Sequence, residues 1–236
     1  MILTAHQPSY LPWLGLFAKM IKSDVFVYLD TVSYSKWDWS SRNKIRTHDG
    51  WIWLTVPVIT SGKSGQLFTE VKIDNTQDWA KKHWKGIHMN YSRTPFFSSY
   101  ENFFKDTYEH EWKYLTELDE HITKFLMETL GIKCSFIKAS ESLKLEGHKS
   151  SLILDMCIKM KADVFIFGGE GKEYVQVEDF QSANITPIFQ EYKHPIYSQY
   201  HGEFIPNLSI IDLLFNCGPK SYEILINNEK LNRETN

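Results

Sequence analysis

The residues best suited to chemistry stand in four short polar segments, each beside an apolar run of the chain. The first segment, residues 6–15, follows an apolar strand and carries His6, Gln7 and Tyr10 between prolines that stiffen the backbone. A helix beginning near Pro12 would point free backbone amides at this turn, and such amides attract phosphate or acyl groups. The alternative is a capped turn in which backbone carbonyls satisfy His6.

The second segment, residues 30–46, follows another apolar run and combines a carboxylate with cations and aromatic rings. Arginine suits bidentate capture of phosphate or carboxylate, and the rings could stack on a base or a sugar. We expect a function for Arg42 and Asn43, and a solvated basic loop for Lys44 and Arg46 taken alone. The other candidates are Asp30 and Lys36, with the rings of Tyr34, Trp37 and Trp39.

The third segment, residues 168–174, is a glycine-rich turn after an apolar run. Gly169 and Gly171 would let a ligand approach the backbone closely, because glycine has no side chain to block it. Glu170 could act as an acid or a base there, and Tyr174 closes the turn. A glycine turn alone is a weak signal, and its position after a strand strengthens it.

The fourth segment contains His194 and a short apolar helix that ends at Gly218 and that Asn207 or Ser209 could cap. Asp212 and Asn216 lie four residues apart on one face of this helix. Because buried polar groups need partners, we expect this pair to reach a ligand or the loops above it.

The elements that must position these segments alternate between strands and helices. Two continuous apolar runs, residues 24–30 and 163–167, are typical of strands covered on both faces, so a parallel or mixed central sheet with flanking helices is predicted. Further strands are predicted at 51–58, 136–139 and 186–189, and helices at 76–90, 109–130 and 149–160. We interpret residues 1–236 as one α/β domain in which residues 78–130 form a helical cap subdomain.

Composition sets mild bounds on function. A net charge of −3 gives no support for nucleic-acid binding, and the three cysteines lack metal-ligand spacing. No run is apolar enough to span a membrane, so a cytoplasmic protein with reduced thiols and no metal is expected. The stretch at residues 60–65 predicts a mobile lid or flexible turn, and it lacks the glycine spacing of a phosphate-binding loop.

At these four segments the chain resembles the WbqC-like family. The shared pattern includes residues 6–15, Lys19 in the first helix, Arg42 with Asn43, His194, and the closing run at 208–218. It covers essentially the whole chain, although Ser33 stands where the family pattern has glutamine. Members resemble proteins encoded with O-antigen and other surface-polysaccharide genes, and a transfer of glycine or another amino acid to a sugar has been suggested for some. The resemblance supplies no settled catalytic residues.

The leading hypothesis is a transferase that attaches a small acyl or aminoacyl group, such as glycine, to an activated, nucleotide-linked amino sugar. His6, Asp30 and Glu170 would be catalytic, with His6 as base or charge stabiliser. The substrate-binding candidates are Gln7, Tyr10, Lys19, Lys36, Arg42, Asn43, Gly169, Gly171, Tyr174, His194, Asp212 and Asn216. No cofactor is required, but an ATP-dependent amide ligase is one alternative, by analogy with nucleotidyltransferases. A non-catalytic scaffold that binds nucleotide sugars is another, and a glycosyltransferase ranks lower. The oligomeric state stays open.

Overall fold

A computed structural model describes residues 1–36, 38–62, 65–227 and 229–233, the last range as backbone only. The strands are β1 (Ile2–His6), β2 (Val25–Tyr28), β3 (Arg42–Thr47), β4 (Gly50–Thr55), β5 (Ser135–Lys138), β6 (Val164–Phe167), β7 (Thr186–Tyr192) and β8 (Glu229–Arg233). The α-helices are α1 (Leu14–Ile21), α2 (Trp79–Tyr91), α3 (Phe97–Glu109), α4 (Leu115–Thr129), α5 (Ala139–Ser142), α6 (Ser150–Met160), α7 (Val177–Ser182), α8 (Ile210–Cys217) and α9 (Ser221–Ile226).

Six strands form the central sheet in the order β5-β2-β1-β6-β7-β8. The first five run parallel, and β8 pairs antiparallel with β7. The sequence prediction of an α/β fold with a mixed central sheet is therefore confirmed. Parallel strands need crossover connections, and these connections put helices on both faces of the sheet.

The two faces of the sheet have separate cores. Phe26 and Tyr28 point into a core shared with α1 and the helices α2–α4. Val27 points the other way, into a core shared with α6 and α7 that includes Met156 and Phe180. This arrangement explains the continuous apolar runs, since alternate side chains of each strand are buried on opposite faces.

The helical segment differs from its prediction in one place. A single helix was expected over 109–130, but α3 ends at Glu109 and α4 begins at Leu115. His110 has an extended ψ of 140° and so leaves the helical conformation. At the start of α4 the Glu117 carboxylate accepts a hydrogen bond from the Tyr114 amide at 3.2 Å. The apolar stripe predicted for this helix is buried at Leu115, Leu118, Ile122 and Leu126.

The prediction of a solvated basic loop at Lys44 and Arg46 is wrong. Both residues lie in β3, which pairs antiparallel with β4 in a separate hairpin. Ser209 caps α8 as expected, its hydroxyl accepting from the Ile211 amide at 3.4 Å.

All three cysteines are free thiols. The predictions for Trp37 and for Lys63 and Ser64 in the 60–65 stretch lie outside the described residues. Within the described residues, every helix is too short or too polar to cross a bilayer.

Candidate functional site

The carboxyl ends of the parallel strands meet at one edge of the sheet. Numbered by their order along the chain, the five parallel strands of the sheet stand in the spatial order 3-2-1-4-5. Strands β2 and β5 are therefore added on one side of β1, and β6 and β7 on its other side, so the direction of the crossovers reverses between β1 and β6. Ligands of open α/β sheets bind in the crevice at such a reversal. His6 ends β1, and the neighbouring strand β6, whose Ile166 is opposite Thr4, ends at Phe167, one residue before Gly168. The first and third segments therefore flank this crevice.

The His6 ring is half-buried and held in one orientation. Its Nδ1 lies 2.7 Å from the Gln7 carbonyl oxygen, and its ring meets Trp13 edge-on with centroids 4.9 Å apart. Because a carbonyl only accepts, Nδ1 carries the proton and Nε2 carries the lone pair. Burial and then the nearby Lys19 cation lower the His6 pKa to about 4. The imidazole is therefore neutral near pH 7 and can accept a proton at Nε2.

Lys19 lies under this turn. It is 4% exposed, and its Nζ donates to the Ala5 carbonyl at 3.0 Å, within Coulombic reach of His6. The glycine at position 15 leaves room for Tyr192 of β7, because a Cβ there would lie 3.1 Å from the Tyr192 ring. Gln190 of β7 also donates to the Gly15 carbonyl at 2.9 Å, so two residues of β7 hold the start of α1 in place.

The second segment contacts the first directly. The Gln7 side-chain amide donates to the Asp38 carboxylate, and the Tyr10 amide donates to the Ser40 carbonyl at 3.1 Å. Asp38 also accepts from the Trp39 amide at 2.7 Å. Asp38 is not among the candidates named from the sequence, since nothing in its spacing indicates the contact with Gln7.

Asn43 holds the His6 turn in shape. Leu11 has a left-handed φ of 45°, and Asn43 Nδ2 donates to its carbonyl at 2.6 Å. Asn43 Oδ1 accepts from the Lys44 amide at 2.7 Å, and the residue is 1% exposed. Asn43 therefore joins β3 to the turn rather than facing the crevice.

Replacing Asn43 with alanine should destabilise the protein by about 1–3 kcal/mol, because it leaves a buried carbonyl unsatisfied on a left-handed residue. Urea unfolding monitored by tryptophan fluorescence measures the change. The matched control is Asn90→Ala, which removes a local side-chain bond to the Gly86 carbonyl within α2 and should cost no more than about 0.5 kcal/mol. Equal losses in the two variants would contradict the special role of Asn43.

The outer face of the hairpin and the adjoining segment 38–40 combine cations with exposed indoles. We call it the cation–tryptophan face; its members are Arg42, Lys44, Trp39, Trp51 and Trp53. The Arg42 guanidinium lies 4.7 Å from the Trp53 ring centroid, and Lys44 Nζ lies 4.2 Å from that of Trp51. The three indoles are 38–43% exposed. Exposed indoles with cations next to their rings suit a ligand that has both a planar or sugar ring and a phosphate.

Arg46 is buried rather than solvated. It is 3% exposed, and its guanidinium donates to four carbonyl oxygens at 2.6–3.0 Å. Those carbonyls belong to Thr47, Gly50, His201 and Glu203. Arg46 therefore holds the segment around residue 202 against the hairpin. The polar residues next to Arg46 in the sequence do not indicate this role.

Two predicted site residues are committed to structural contacts. Both oxygens of Asp30, which is fully buried, accept from Ser140, at 2.9 Å from its amide and 2.6 Å from its hydroxyl. Asp30, which was expected from the sequence to be catalytic, is therefore bonded to Ser140, and the group that orients the His6 ring is the Gln7 carbonyl. Tyr10 is also fully buried, and its hydroxyl lies 2.8 Å from His83 Nδ1 under the helices.

The glycine bend, residues 168–174, turns outward from the end of β6. Gly171 is required by packing, since a Cβ there would lie 2.7 Å from the Phe167 Cβ. Gly169 and Glu170 are exposed at the rim. Tyr174 is 41% exposed, and burial followed by the Glu170 charge raises its pKa. Lys36 of the second segment is exposed as well.

The fourth segment anchors the loop formed by residues 194–207. Asp212 is fully buried and accepts from the hydroxyls of Tyr91 and Tyr197 and from the amide of Gln199, all at 2.8–2.9 Å. Asn216 accepts from the Tyr200 amide at 2.8 Å. Of the two alternatives for this pair, the structure assigns contact with the loops above.

His194 is half-buried, packed between Tyr197 and Phe204, with Nδ1 2.8 Å from the Pro195 carbonyl. Burial lowers its pKa. Its Nε2 is buried without a hydrogen-bond partner among the described residues.

The profile of the WbqC-like protein family matches residues 7–224. The chain belongs to this family. It is similar to the uncharacterized protein Rv1507c of Mycobacterium tuberculosis, with 32% identity over 221 residues, covering 93% of this chain and 95% of that protein. No solved structure matches it.

A surface depression of about 420 Å³ lies elsewhere on this WbqC-like chain, between the end of α4 and the start of β5. Its lining includes Glu128, Lys133 and Cys134, at the amino-terminal edge of the sheet. It contains no residue of the four polar segments. The His6 turn and the glycine bend instead follow the strands at the opposite, carboxyl edge, which we take as the candidate site.

Proposed function

We propose that the protein is a transferase that attaches a small acyl or aminoacyl group to an activated, nucleotide-linked sugar for surface-polysaccharide synthesis. The observation that carries this proposal is the His6 imidazole, held with its Nε2 lone pair at the strand reversal, in a turn whose Gln7 contacts Asp38 next to Trp39 of the cation–tryptophan face. A base and a phosphate-and-ring recognition surface in one crevice are the two parts that such a transfer needs.

In the proposed reaction His6 transfers the proton, and the other residues of the site bind the substrates. The sugar's amino or hydroxyl group attacks the acyl carbonyl carbon, forming the new C–N or C–O bond while its proton passes to His6 Nε2. The leaving group departs with its bonding electron pair and takes the proton back from His6. Arg42 and Lys36 hold the phosphates, and Trp39 and Trp53 stack on the ring. Glu170, at the rim, is placed to contact the acceptor.

The test is mass spectrometry of a nucleotide-linked amino sugar incubated with the protein and an activated glycyl or acetyl donor. We expect the added acyl group on the sugar. Binding of nucleotide sugars without consumption of any donor would instead favour the scaffold function.

A second candidate is an ATP-dependent amide ligase that first forms an acyl adenylate. The arrangement that favours it is a histidine-bearing turn and helix directly after the first strand, which is central in the sheet. In that step a carboxylate oxygen attacks the α-phosphorus of ATP and pyrophosphate leaves. Absence of pyrophosphate release with ATP and glycine would remove this candidate.

Replacing Trp53 with alanine should weaken binding of a nucleotide sugar about tenfold, since one stacked ring contributes on the order of 1–3 kcal/mol. Isothermal titration calorimetry measures the affinity. Tyr222→Ala, which removes an aromatic side chain of similar exposure on α9, is the control and should leave the affinity unchanged. An unaltered affinity in the Trp53 variant would place the ring-binding surface elsewhere.

A further inference from the structure

Helix α4 carries a fully buried carboxyl group that forms no hydrogen bond with the part of the chain that the structure describes. Asp119 is 0% exposed, and neither of its oxygens has a hydrogen-bond partner among the described residues. It lies four residues after Leu115 and three before Ile122, so it interrupts the buried stripe of the helix. Burying a carboxyl group without a hydrogen-bond partner lowers the stability of the fold, so the presence of Asp119 here points to a function.

Tyrosine hydroxyls surround Asp119 but do not satisfy it. Burial raises the pKa of four tyrosines, and the nearby Asp119 carboxyl contributes to each: Tyr10, Tyr28, Tyr34 and Tyr108. Each of these hydroxyls is bonded elsewhere: Tyr10 to His83 (2.8 Å), Tyr108 to Tyr10 (2.5 Å), Tyr28 to the Thr116 carbonyl (3.0 Å) and Tyr34 to Ser41 (3.1 Å). The carboxyl thus has aromatic neighbours whose hydroxyls are hydrogen-bonded to other groups.

Other buried oxygens on the segments around these tyrosines also lack a partner among the described residues: Ser9 Oγ, Ser40 Oγ and Gln66 Oε1. The Tyr10 amide donates to the Ser40 carbonyl at 3.1 Å, and the Tyr34 amide donates to that of Gln66 at 2.8 Å. Gln66 uses its amide nitrogen on the Glu70 carbonyl at 2.6 Å, so only its oxygen remains.

The unsatisfied set is therefore rich in acceptors. Burial alone raises the Asp119 pKa, and no cation of the described chain opposes it. A primary ammonium group is the complement of such a lining, because it has three N–H donors, no acceptor and a positive charge. Aromatic faces add a further attraction for a cation.

We propose that Asp119 and the polar lining around it bind a primary ammonium group of a small ligand. Tyr28, one of the four tyrosines that interact with the Asp119 carboxyl, lies directly across from the candidate base His6 in the β1–β2 register. Assigning the ammonium group to the amino-acid donor, or to an amino sugar, rests on the proposed function. The binding itself does not.

The experiment is calorimetry and thermal shift of the full chain with glycinamide, glucosamine and methylammonium as probes. Tetramethylammonium, which has no N–H group, and N-acetylglycinamide, which has no charge, are the negative probes. We expect methylammonium and one of the two larger amines to bind. Preference for glycinamide assigns the amino-acid donor, and preference for glucosamine assigns the acceptor.

Asp119→Asn should weaken binding of the ammonium probes about tenfold to a hundredfold, as expected for loss of a charged hydrogen-bond partner. Asp106→Asn, at an exposed position of α3, is the matched control and should bind like the wild type. Equal binding by the Asp119 variant, or equal binding of tetramethylammonium by the wild type, would overturn the proposal. Ammonium binding without any acyl transfer would leave this subsite standing and remove the proposed function.

Discussion

Replacing His6 with asparagine should lower the rate of acyl transfer by about 10²–10⁴-fold, the range for loss of a positioned general base. Asparagine can still donate its side-chain amide to the Gln7 carbonyl, so the turn should keep its shape while Nε2 is lost. The affinity for the nucleotide sugar should stay within a few fold. A discontinuous transfer assay read by mass spectrometry, with kcat and KM determined separately, measures the effect.

The control is His148→Gln, which alters an exposed histidine and should retain full activity. If the His6 variant kept the wild-type kcat, the imidazole would not be the base. If it lost nucleotide-sugar affinity as strongly as rate, His6 would act in binding instead.

The same histidine sets the acid side of the pH profile. Burial and the Lys19 charge lower its pKa from 6.5 to about 4, so the imidazole is neutral and competent above that value and protonated below it. The acid limb of kcat/KM should therefore lie near pH 4 rather than near pH 6.5. A limb near 6.5 in the free enzyme would show that the ring is solvated and that a different geometry holds it.

Replacing Asp212 with alanine should destabilise the protein by about 3–5 kcal/mol, since removing one member of a buried charged network leaves the others unsatisfied. The variant would leave the donors of Tyr91, Tyr197 and Gln199 without their common acceptor. It would also remove a carboxyl group that interacts electrostatically with the buried Arg46 guanidinium. Urea unfolding by linear extrapolation gives the free-energy change.

Asp179→Ala, at an exposed position of α7, is the matched control and should change the stability by no more than about 0.5 kcal/mol. Hydrogen exchange should show the 194–207 loop opening in the Asp212 variant, because its anchor is lost. A loss below about 1 kcal/mol with an unaltered loop would mean that the network is dispensable.

The sequence indicated the parts of this fold that depend on local pattern. Apolar runs such as residues 163–167 marked buried strands, and the serine before residues 210–217 marked a helix start. The His6 turn was found because its residue types are unusual directly after a strand. Patterns of this kind need only the neighbouring residues, so they survive without knowledge of the tertiary structure.

What the sequence hid depends on partners far away along the chain. Arg46 was taken for a solvated cation because the carbonyls of His201 and Glu203 that bury it lie about 155 residues further on. The Gln7–Asp38 contact likewise follows from how the segment after β2 folds back. Asp119 did leave a signal, an acid on an apolar helical stripe, which a count of apolar positions alone overlooks.

The most direct test of the central claim is hydrogen–deuterium exchange of the protein with and without a nucleotide sugar. The claim is that the His6 turn, the segment from 38 to 44 and the glycine bend line one crevice at the carboxyl edge of the sheet. It predicts simultaneous protection of peptides from these three segments. Protection confined to the depression around Glu128 and Cys134, or to only one of the three segments, would contradict it.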